Sequence, residues 1–207
     1  MLKSAGSRNS QKSIFSQKDD VRSKDESWNL AFRDLNESSL WTILGHHHDK
    51  LEKTKTLDLS YNCLEKLNCI CMIQHLETLV LDHNRINCNT TFPSLPDLTM
   101  LSLNSNLIQN LSLFIKNLAT SLPGLRYLSL MKNGAAPSYF NGGTVEQYQD
   151  YRLFITSHFV NLEVLDDRKI TEEEKAKAYA VYGRRWKLRR GRLASYSHVR
   201  KGHVTQK

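Results

Sequence analysis

A repeat of 22 residues in the middle of the chain limits most strongly what the chain can fold into. Three segments match position by position. Each contains an asparagine and ends two residues later on a leucine or an isoleucine. They read LDLSYNCL from Leu57, LVLDHNRI from Leu79 and LSLNSNLI from Leu101. Their asparagines, Asn62, Asn84 and Asn106, are 22 residues apart, and a fourth copy places Asn133 after a longer spacing of 27. A fixed period of this length predicts a stack of similar structural units.

The shared pattern, L-x-x-L-x-L-x-x-N, predicts a short strand followed by a turn. In L-x-L the two leucines point to one face of a strand, and the residue between them points to the other. The asparagine follows the strand, where its amide can bond to backbone groups that the turn leaves unpaired. Stacked units of this kind form an α/β leucine-rich repeat solenoid, with a parallel strand face on one side. The alternative, a leucine-rich helical bundle, needs a 3.6-residue period that this pattern lacks.

The pattern also predicts which apolar side chains enter the core. The inward positions are Leu57, Leu59, Leu64, Leu76, Leu79, Leu81, Ile86, Leu98, Leu101, Leu103, Ile108, Leu125, Leu128, Leu130, Leu162 and Leu165. Thr54 stands where the first block should have its first leucine. Upstream, residues 28–44 contain Leu30, Phe32, Leu35, Leu40 and Ile43, and we expect a degenerate first coil that closes the N-terminal end.

The other end of the solenoid is predicted to carry a helical cap. A Gly- and Pro-containing stretch, 134–143, is followed by a helix expected over about 144–158, whose apolar face carries Tyr148, Tyr151 and Ile155. A fifth strand then runs from Leu162 to Leu165. Thr171 and Glu174 form a capping-box pattern that opens a second helix, expected to reach about Leu188.

The segment from Tyr151 to Glu174, YRLFITSHFVNLEVLDDRKITEEE, resembles the C-terminal cap of small intracellular leucine-rich repeat proteins. Such caps occur in regulators of type 1 phosphatase, the spliceosomal U2 A-prime protein and ciliary dynein-associated proteins. Few repeats, a long insert and this cap together are most similar to the family of the leucine-rich melanocyte differentiation-associated protein. Asn161 departs from that pattern, which more often has proline shortly before the strand. The resemblance implies protein binding, in melanocyte differentiation or melanosome-related trafficking.

Charge separates the body of the chain from its C-terminal tail. The net charge is +8, but residues 183–207 hold nine Lys and Arg and no acid, which leaves 20 basic against 21 acidic residues in 1–182. We therefore predict a disordered N-terminal segment over 1–27, a repeat domain over 28–182 with its cap at about 144–182, and a basic flexible tail over 183–207. The absence of an apolar leader and of a long apolar run predicts a cytoplasmic protein, with the nucleus as the alternative.

The sequence carries no pattern that predicts catalysis, a metal or a cofactor. The inward positions are aliphatic, and no nucleophile, phosphate-binding or zinc-protease motif occurs, so we expect a protein that is not an enzyme. Three adjacent histidines, His46, His47 and His48, cannot easily converge on one ion, and an exposed loop is expected there. The cysteines Cys63, Cys69, Cys71 and Cys88 lack paired C-x-x-C spacing and are expected to be buried free thiols.

Function is expected on two surfaces. The first is the strand face, where outward positions of successive strands form columns; its mixed composition, with Tyr61, Met100 and Tyr127, suits a protein partner. Its candidate residues are Lys55, Asp58, Tyr61, Glu77, Val80, His83, Thr99, Met100, Ser102, Arg126, Tyr127 and Ser129. The face lacks the aromatic and basic array of single-stranded RNA binding, so direct nucleic-acid binding is not expected.

The second surface is the basic tail, in which aromatic and apolar residues interrupt the charges. Its candidate docking residues are Arg184, Arg185, Trp186, Lys187, Arg189, Arg190 and Arg192. An acidic protein, an anionic membrane surface and a nuclear or nucleic-acid role remain open for it. The sequence thus predicts a monomeric, non-enzymatic adaptor that binds another protein, with a nuclear ribonucleoprotein factor as the alternative.

Overall fold

Seven short strands form one sheet in the order in which they occur along the chain. The computed structural model describes residues 26–138 and 141–183. The strands are Ser27–Asn29 (β1), Thr56–Asp58 (β2), Thr78–Val80 (β3), Met100–Ser102 (β4), Tyr127–Ser129 (β5), Val164–Leu165 (β6) and Arg168–Lys169 (β7). Neighbours from β1 to β6 pair in parallel, and β7 pairs with β6 antiparallel. This arrangement confirms the leucine-rich repeat fold.

The core consists of the side chains that the repeat pattern points inward. All sixteen predicted inward positions are at most 1% exposed. In each coil the alternation of L-x-L buries two leucines on one side of the strand and leaves the residue between them on the other. Thr54, where a leucine was expected, is also fully buried, and its hydroxyl donates to the carbonyl of Lys50 at 2.7 Å. Burial of a threonine is tolerated here since that hydroxyl is hydrogen-bonded.

The repeated asparagines tie each coil to the one before it. The amide nitrogen of Asn84 donates to the carbonyls of Leu59 and Leu81, at 2.9 and 3.1 Å, and its oxygen accepts from the backbone of Leu64 at 3.0 Å. Asn62, Asn106 and Asn133 repeat this pattern. A buried amide that satisfies three backbone groups explains why the turn needs asparagine.

The residue before each asparagine has a left-handed backbone conformation. Tyr61, His83, Ser105 and Lys132 all have φ between 54° and 59°, and Phe32 of the first coil has φ of 57°. Non-glycine residues adopt this region at a cost of roughly 1–2 kcal/mol. The asparagine bonds offset that cost, and the identical backbone gives the side chains at this position the same direction in successive coils.

The side of the solenoid opposite the sheet varies from coil to coil. It is formed by helices Glu37–Gly45 (α1) and His48–Leu51 (α2), a 3₁₀ helix at Asn68–Met72, irregular chain around Phe92, and helix Leu111–Ser121 (α3). α3 occupies the coil between Asn106 and Asn133, which accounts for the spacing of 27. The segment after Gly45, expected to be an exposed loop, contains α2 instead.

The first coil differs from the prediction at one residue. Trp28, Leu30 and Leu35 are buried, as a closing coil requires. Phe32 was grouped with them, but it is 73% exposed and occupies the turn position equivalent to Tyr61. The expectation that Phe32 belongs to the apolar set of this coil was wrong, because its backbone turns the ring out of the core.

Helices Val145–Thr156 (α4) and Glu172–Tyr182 (α5) cover the last coil together with β6 and β7. Each begins with a capping box, from Thr144 and Thr171. Tyr151 and Ile155 of α4 are buried. α4 ends at Thr156, two residues before the predicted limit. The predicted extension of α5 towards Leu188 lies outside the described residues.

The guanidinium of Arg152 joins the two cap helices to the last strands. Its side chain is 2% exposed and bonds to both carboxylate oxygens of Glu174, at 2.6 and 3.1 Å. It also donates to the carbonyls of Leu165 and Lys169, at 3.2 and 3.1 Å. The ion pair lowers the pKa of Glu174. A buried charge with this many partners is a structural feature of the cap.

Candidate protein-binding face

The outward residues of the strands form two rows across the sheet, which we call the strand face. One row holds Ser27, Thr56, Thr78, Met100, Tyr127 and Val164, and the other holds Asn29, Asp58, Val80, Ser102 and Ser129. Every predicted candidate on β2 to β5 lies in these rows, in the row just before the strands or at the turn after them. The face is wide and rigid because every strand but the terminal ones is paired on both sides.

Three predicted candidates on the strand face offer little surface to a partner. Met100, Ser102 and Ser129 are 6%, 3% and 0% exposed. Met100 points out of the core, but Thr78 and Tyr127 flank it in the same row. The periodicity of the sequence gives the direction of a side chain but not whether its neighbours cover it. Contact surface must therefore come from the other candidates.

The row just before the strands is charged, and both of its cations form ion pairs. Lys55 lies between Glu26 and Glu77, with nitrogen–oxygen distances of 3.0 and 4.0 Å. Arg126 forms an ion pair with Glu163, and the hydroxyl of Tyr127 donates to the same carboxylate at 3.3 Å. The two cations of this row are therefore paired, and its three carboxylates leave it with a small excess of negative charge.

Two carboxylates near the C-terminal ends of β2 and β3 are held by hydrogen bonds alone. Asp58 accepts from the backbone and hydroxyl of Ser60, at 2.9 and 2.7 Å. Asp82 accepts from the hydroxyl of Ser102 at 2.6 Å and from the backbone and side-chain nitrogens of Asn104 at 2.8 and 3.1 Å. Neither forms an ion pair with any residue in 26–138 or 141–183. Both remain acceptors for a donor from outside.

Beside these carboxylates, three rings from successive turns stack on one another. The ring centroids of Phe32 and Tyr61 are 4.2 Å apart with planes at 12°, and those of Tyr61 and His83 are 4.1 Å apart at 10°. Phe32 and Tyr61 are 73% and 45% exposed. The stack forms because the rings leave identical left-handed turns, and neighbouring strands lie about 4.8 Å apart, close to the thickness of a ring. We call these residues the aromatic stack.

Sequence reasoning found three members of this region and missed the other two. Asp58, Tyr61 and His83 were among the candidates, whereas Phe32 was noted only as an apolar residue of the first coil and Asp82 was passed over. The alignment of Trp28-Asn-Leu30 with Leu57-Asp-Leu59 would have placed Phe32 opposite Tyr61. That match is hidden because Arg33 stands where the other coils have asparagine.

The histidines and cysteines that could suggest a metal site are separated by the fold. The Nδ1 atoms of His46 and His47 lie 2.7 and 2.8 Å from the carbonyls of Thr42 and Ile43, at the end of α1.

All four cysteines are free, but only Cys69 is buried, and burial raises the pKa of its thiol to about 11. Cys71 is exposed, so the expectation of four buried thiols was wrong: the 3₁₀ helix turns Cys69 and Ile70 toward the core and Cys71 toward solvent. Among the described residues no group of His, Cys, Asp or Glu is arranged to hold a metal ion.

The predicted docking residues of the basic tail, from Arg184 to Arg192, lie outside the described residues. Within the described part of the chain, no helix has the length and hydropathy needed to cross a bilayer.

Comparison with known proteins agrees with the fold and with the resemblance noted in the sequence. A family model described as leucine-rich repeat matches residues 40–191. The leucine-rich melanocyte differentiation-associated protein of Homo sapiens is 36% identical over 114 residues, which are 54% of this chain and 58% of that protein. The U2 small nuclear ribonucleoprotein A′ of Arabidopsis thaliana is 34% identical over 141 residues, 67% of this chain and 51% of that protein.

The chain thus spans somewhat more than half the length of the curated relatives it matches. Among solved structures, the Drosophila melanogaster SNF/U2A′ complex contains a chain that matches with a TM-score of 0.53 and 24% identity. The match covers 74% of this chain and 79% of that one, and it supports the fold.

Proposed function

This chain belongs to the leucine-rich repeat family, and from that premise we propose that it is a non-enzymatic adaptor that binds another protein through its strand face. Family membership supports a role in protein interaction. The observation that carries the proposal is the register of the sheet. It places Val80 and Tyr127 in the outward rows, and the turns after the strands bring Tyr61 and His83 together, while the other side of the sheet is a continuous apolar core. Tyrosines held rigidly on an ordered face are typical of protein interfaces.

The finer role that we propose is in melanocyte differentiation, by analogy with the human relative that is named for it. The family resemblance of the sequence extends this to melanosome-related trafficking. In this reading the chain works in the cytoplasm as a monomer, and its basic tail adds a second contact with an acidic protein or an anionic membrane.

A second candidate function is supported by the greater length of another match. Similarity to the U2 small nuclear ribonucleoprotein A′ extends over 141 residues of this chain, against 114 for the melanocyte protein. In that case the chain is a nuclear factor of a ribonucleoprotein particle. Its own act is still protein binding, because Asp58 and Asp82 on the strand face disfavour direct contact with phosphates.

The test compares two charged substitutions in the same coil of the full chain. Val80→Arg places a long cation in the middle of the strand face, where Asp58 lies beside it in the neighbouring strand and helps the fold to tolerate it. Gln74→Arg places the same cation at an exposed position outside the strand rows. Each variant is used to capture partners from nuclear and cytoplasmic extracts treated with ribonuclease, followed by mass spectrometry.

The proposal predicts that Val80→Arg loses a protein that both wild type and Gln74→Arg capture, while the melting temperatures of both variants stay within a few degrees of wild type. Recovery of that protein only from the nuclear extract, together with other particle proteins, favours the ribonucleoprotein role. Equal capture by Val80→Arg and Gln74→Arg would remove the strand face as the binding site.

A further inference from the structure

The aromatic stack and the two carboxylates beside it form a composite surface near the N-terminal end of the strand face. The backbone N–H of Tyr61 donates to the carbonyl of Asp82 at 2.8 Å, so this aspartate is the neighbour of Tyr61 in the next coil. In the same way the N–H of Phe32 donates to the carbonyl of Ser60 at 3.1 Å, and Ser60 holds the carboxylate of Asp58. These bonds fix the ring edges, the open outer face of Phe32 and the carboxylates in adjoining columns.

We propose that this surface binds an arginine-bearing segment of the partner protein, an inference that rests on the proposed function. A guanidinium is flat, stacks on aromatic rings and donates in a fork that matches a carboxylate. Phe32, at the open end of the stack, supplies the ring, and Asp58 and Asp82 supply acceptors that no cation in the described residues occupies. A lysine ammonium can also contact rings and carboxylates, but it lacks the planar fork that matches a carboxylate.

The charges of the strand face support this choice of partner. Lys55 and Arg126 are already paired with Glu26, Glu77 and Glu163, which leaves one carboxylate in excess in the row before the strands. Asp58 and Asp82 add two carboxylates that form no ion pair within the described residues, so these rows carry an excess of negative charge. A nucleobase would stack on the rings, but its phosphates would be repelled there, and a proline-rich segment would use the rings and leave the carboxylates without donors.

The hydrogen bonds of the two aspartates show which variants keep the fold. The carboxylate oxygens Oδ1 of Asp58 and Asp82 accept from Ser60, Ser102 and Asn104, and an asparagine carbonyl can accept the same bonds. The double variant Asp58→Asn/Asp82→Asn therefore removes two charges and keeps these bonds. It gives up the bond that the side-chain amide of Asn104 donates to Oδ2 of Asp82 at 3.1 Å, so its melting temperature is measured beside its affinity. Phe32→Asn removes the outer ring, and asparagine tolerates a φ of 57°.

The experiment uses the immobilised full chain and a phage-displayed library of random twelve-residue peptides. We expect the selected peptides to be enriched in arginine. The tightest peptide is then synthesised and titrated by fluorescence anisotropy. Its affinity should fall at least about tenfold on the aspartate double variant, on Phe32→Asn, and when its arginine is replaced by the neutral isostere citrulline. Asp97→Asn/Glu172→Gln, which removes two exposed carboxylates elsewhere, should bind like wild type.

Three results would overturn the inference. They are selected peptides without arginine, an affinity that the aspartate double variant leaves unchanged, and tighter binding of a single-stranded RNA or of a peptide with the chain's own residues 184–192. The variant Val80→Arg separates this inference from the proposed function. If Val80→Arg loses its captured partner while the aspartate double variant keeps it, the strand face binds a protein but not through arginine.

Discussion

At the scale of single residues, a buried aspartate closes the last coil. Asp166 has a φ of 58°, and its carboxylate accepts from the backbone of Leu130 at 2.9 Å and from the hydroxyl of Tyr151 at 3.1 Å. Leu130 would otherwise lack the carbonyl that a further coil provides. Burial raises the pKa of Asp166 to about 6, although both hydrogen bonds lower it. Burial of this carboxylate therefore favours its protonation below about pH 6.

This shift predicts an unusual pH dependence of stability. Since the pKa of Asp166 is higher in the folded state than its ordinary 3.8, the folded chain binds more protons between about pH 4 and 6. The free energy of unfolding should therefore fall through this group as the pH rises, by on the order of 3 kcal/mol in all. Asp166→Asn keeps the acceptor for Leu130 and does not titrate, so it should remove that fall.

Urea unfolding of wild type and Asp166→Asn at a series of pH values checks this prediction. The lowered pKa of Glu174 acts in the opposite direction, with stability lost as the pH falls, but it is present in both proteins and cancels in the difference. Stability curves that run parallel between pH 4 and 6.5 would mean that Asp166 does not hold its proton in the fold.

At the scale of elements, the cap depends on one cation placed between two helices. Arg152 on α4 binds Glu174 on α5, and it also satisfies carbonyls of Leu165 in β6 and Lys169 in β7. Arg152→Met keeps much of the side-chain volume but leaves these acceptors without a donor. We expect a loss of about 3–5 kcal/mol in the free energy of unfolding.

An exposed ion pair of the same type provides the control. Arg85 lies 3.8 Å from Glu65, and both side chains are more than half exposed. Arg85→Met should therefore cost less than about 1 kcal/mol. Chemical denaturation at pH 7 measures both variants, and losses of similar size would show that burial does not distinguish the two pairs.

The sequence predicted elements best where a repeated pattern acts on the backbone. The repeated blocks predicted β2, β3 and β4 and the leucines that these blocks turn inward, and the capping-box pattern at Thr171 located the start of α5. The antiparallel strand β7 was not predicted, because two residues carry no periodicity and depend on the turn at Asp166. The aromatic stack was only partly predicted, since it requires knowing that Phe32 and Tyr61 occupy equivalent turns. The burial of Met100 depends on its neighbours in adjacent strands, which lie 22 and 27 residues away in the chain.

At the scale of the whole molecule, the solenoid is closed differently at its two ends. At the N-terminal end, β1 is the edge strand, and the coil from Ser27 to α1 covers the core with Trp28, Leu30 and Leu40. At the C-terminal end, β6 and β7 continue the sheet, and α4 and α5 lie over the last coil. Stacked repeats expose core and strand edges wherever such cover is missing.

Removing the C-terminal cover is therefore expected to destroy the cooperative fold. A chain that stops at Gly143 leaves the edge of β5 unpaired and exposes Leu128 and Leu130, which are at most 1% exposed in the intact protein. We expect this truncation to aggregate, or to melt without a sharp transition, because an unpaired parallel edge next to open apolar surface associates with other chains.

The control stops at Gly183, which keeps α4, β6, β7 and α5 and removes only the basic tail; it should remain monomeric and melt like the full chain. Size-exclusion chromatography and thermal melting by circular dichroism distinguish the two. A monomeric, sharply melting chain of residues 1–143 would show that the repeats before Gly143 are sufficient by themselves, and that the helices after it serve a purpose other than closing the core.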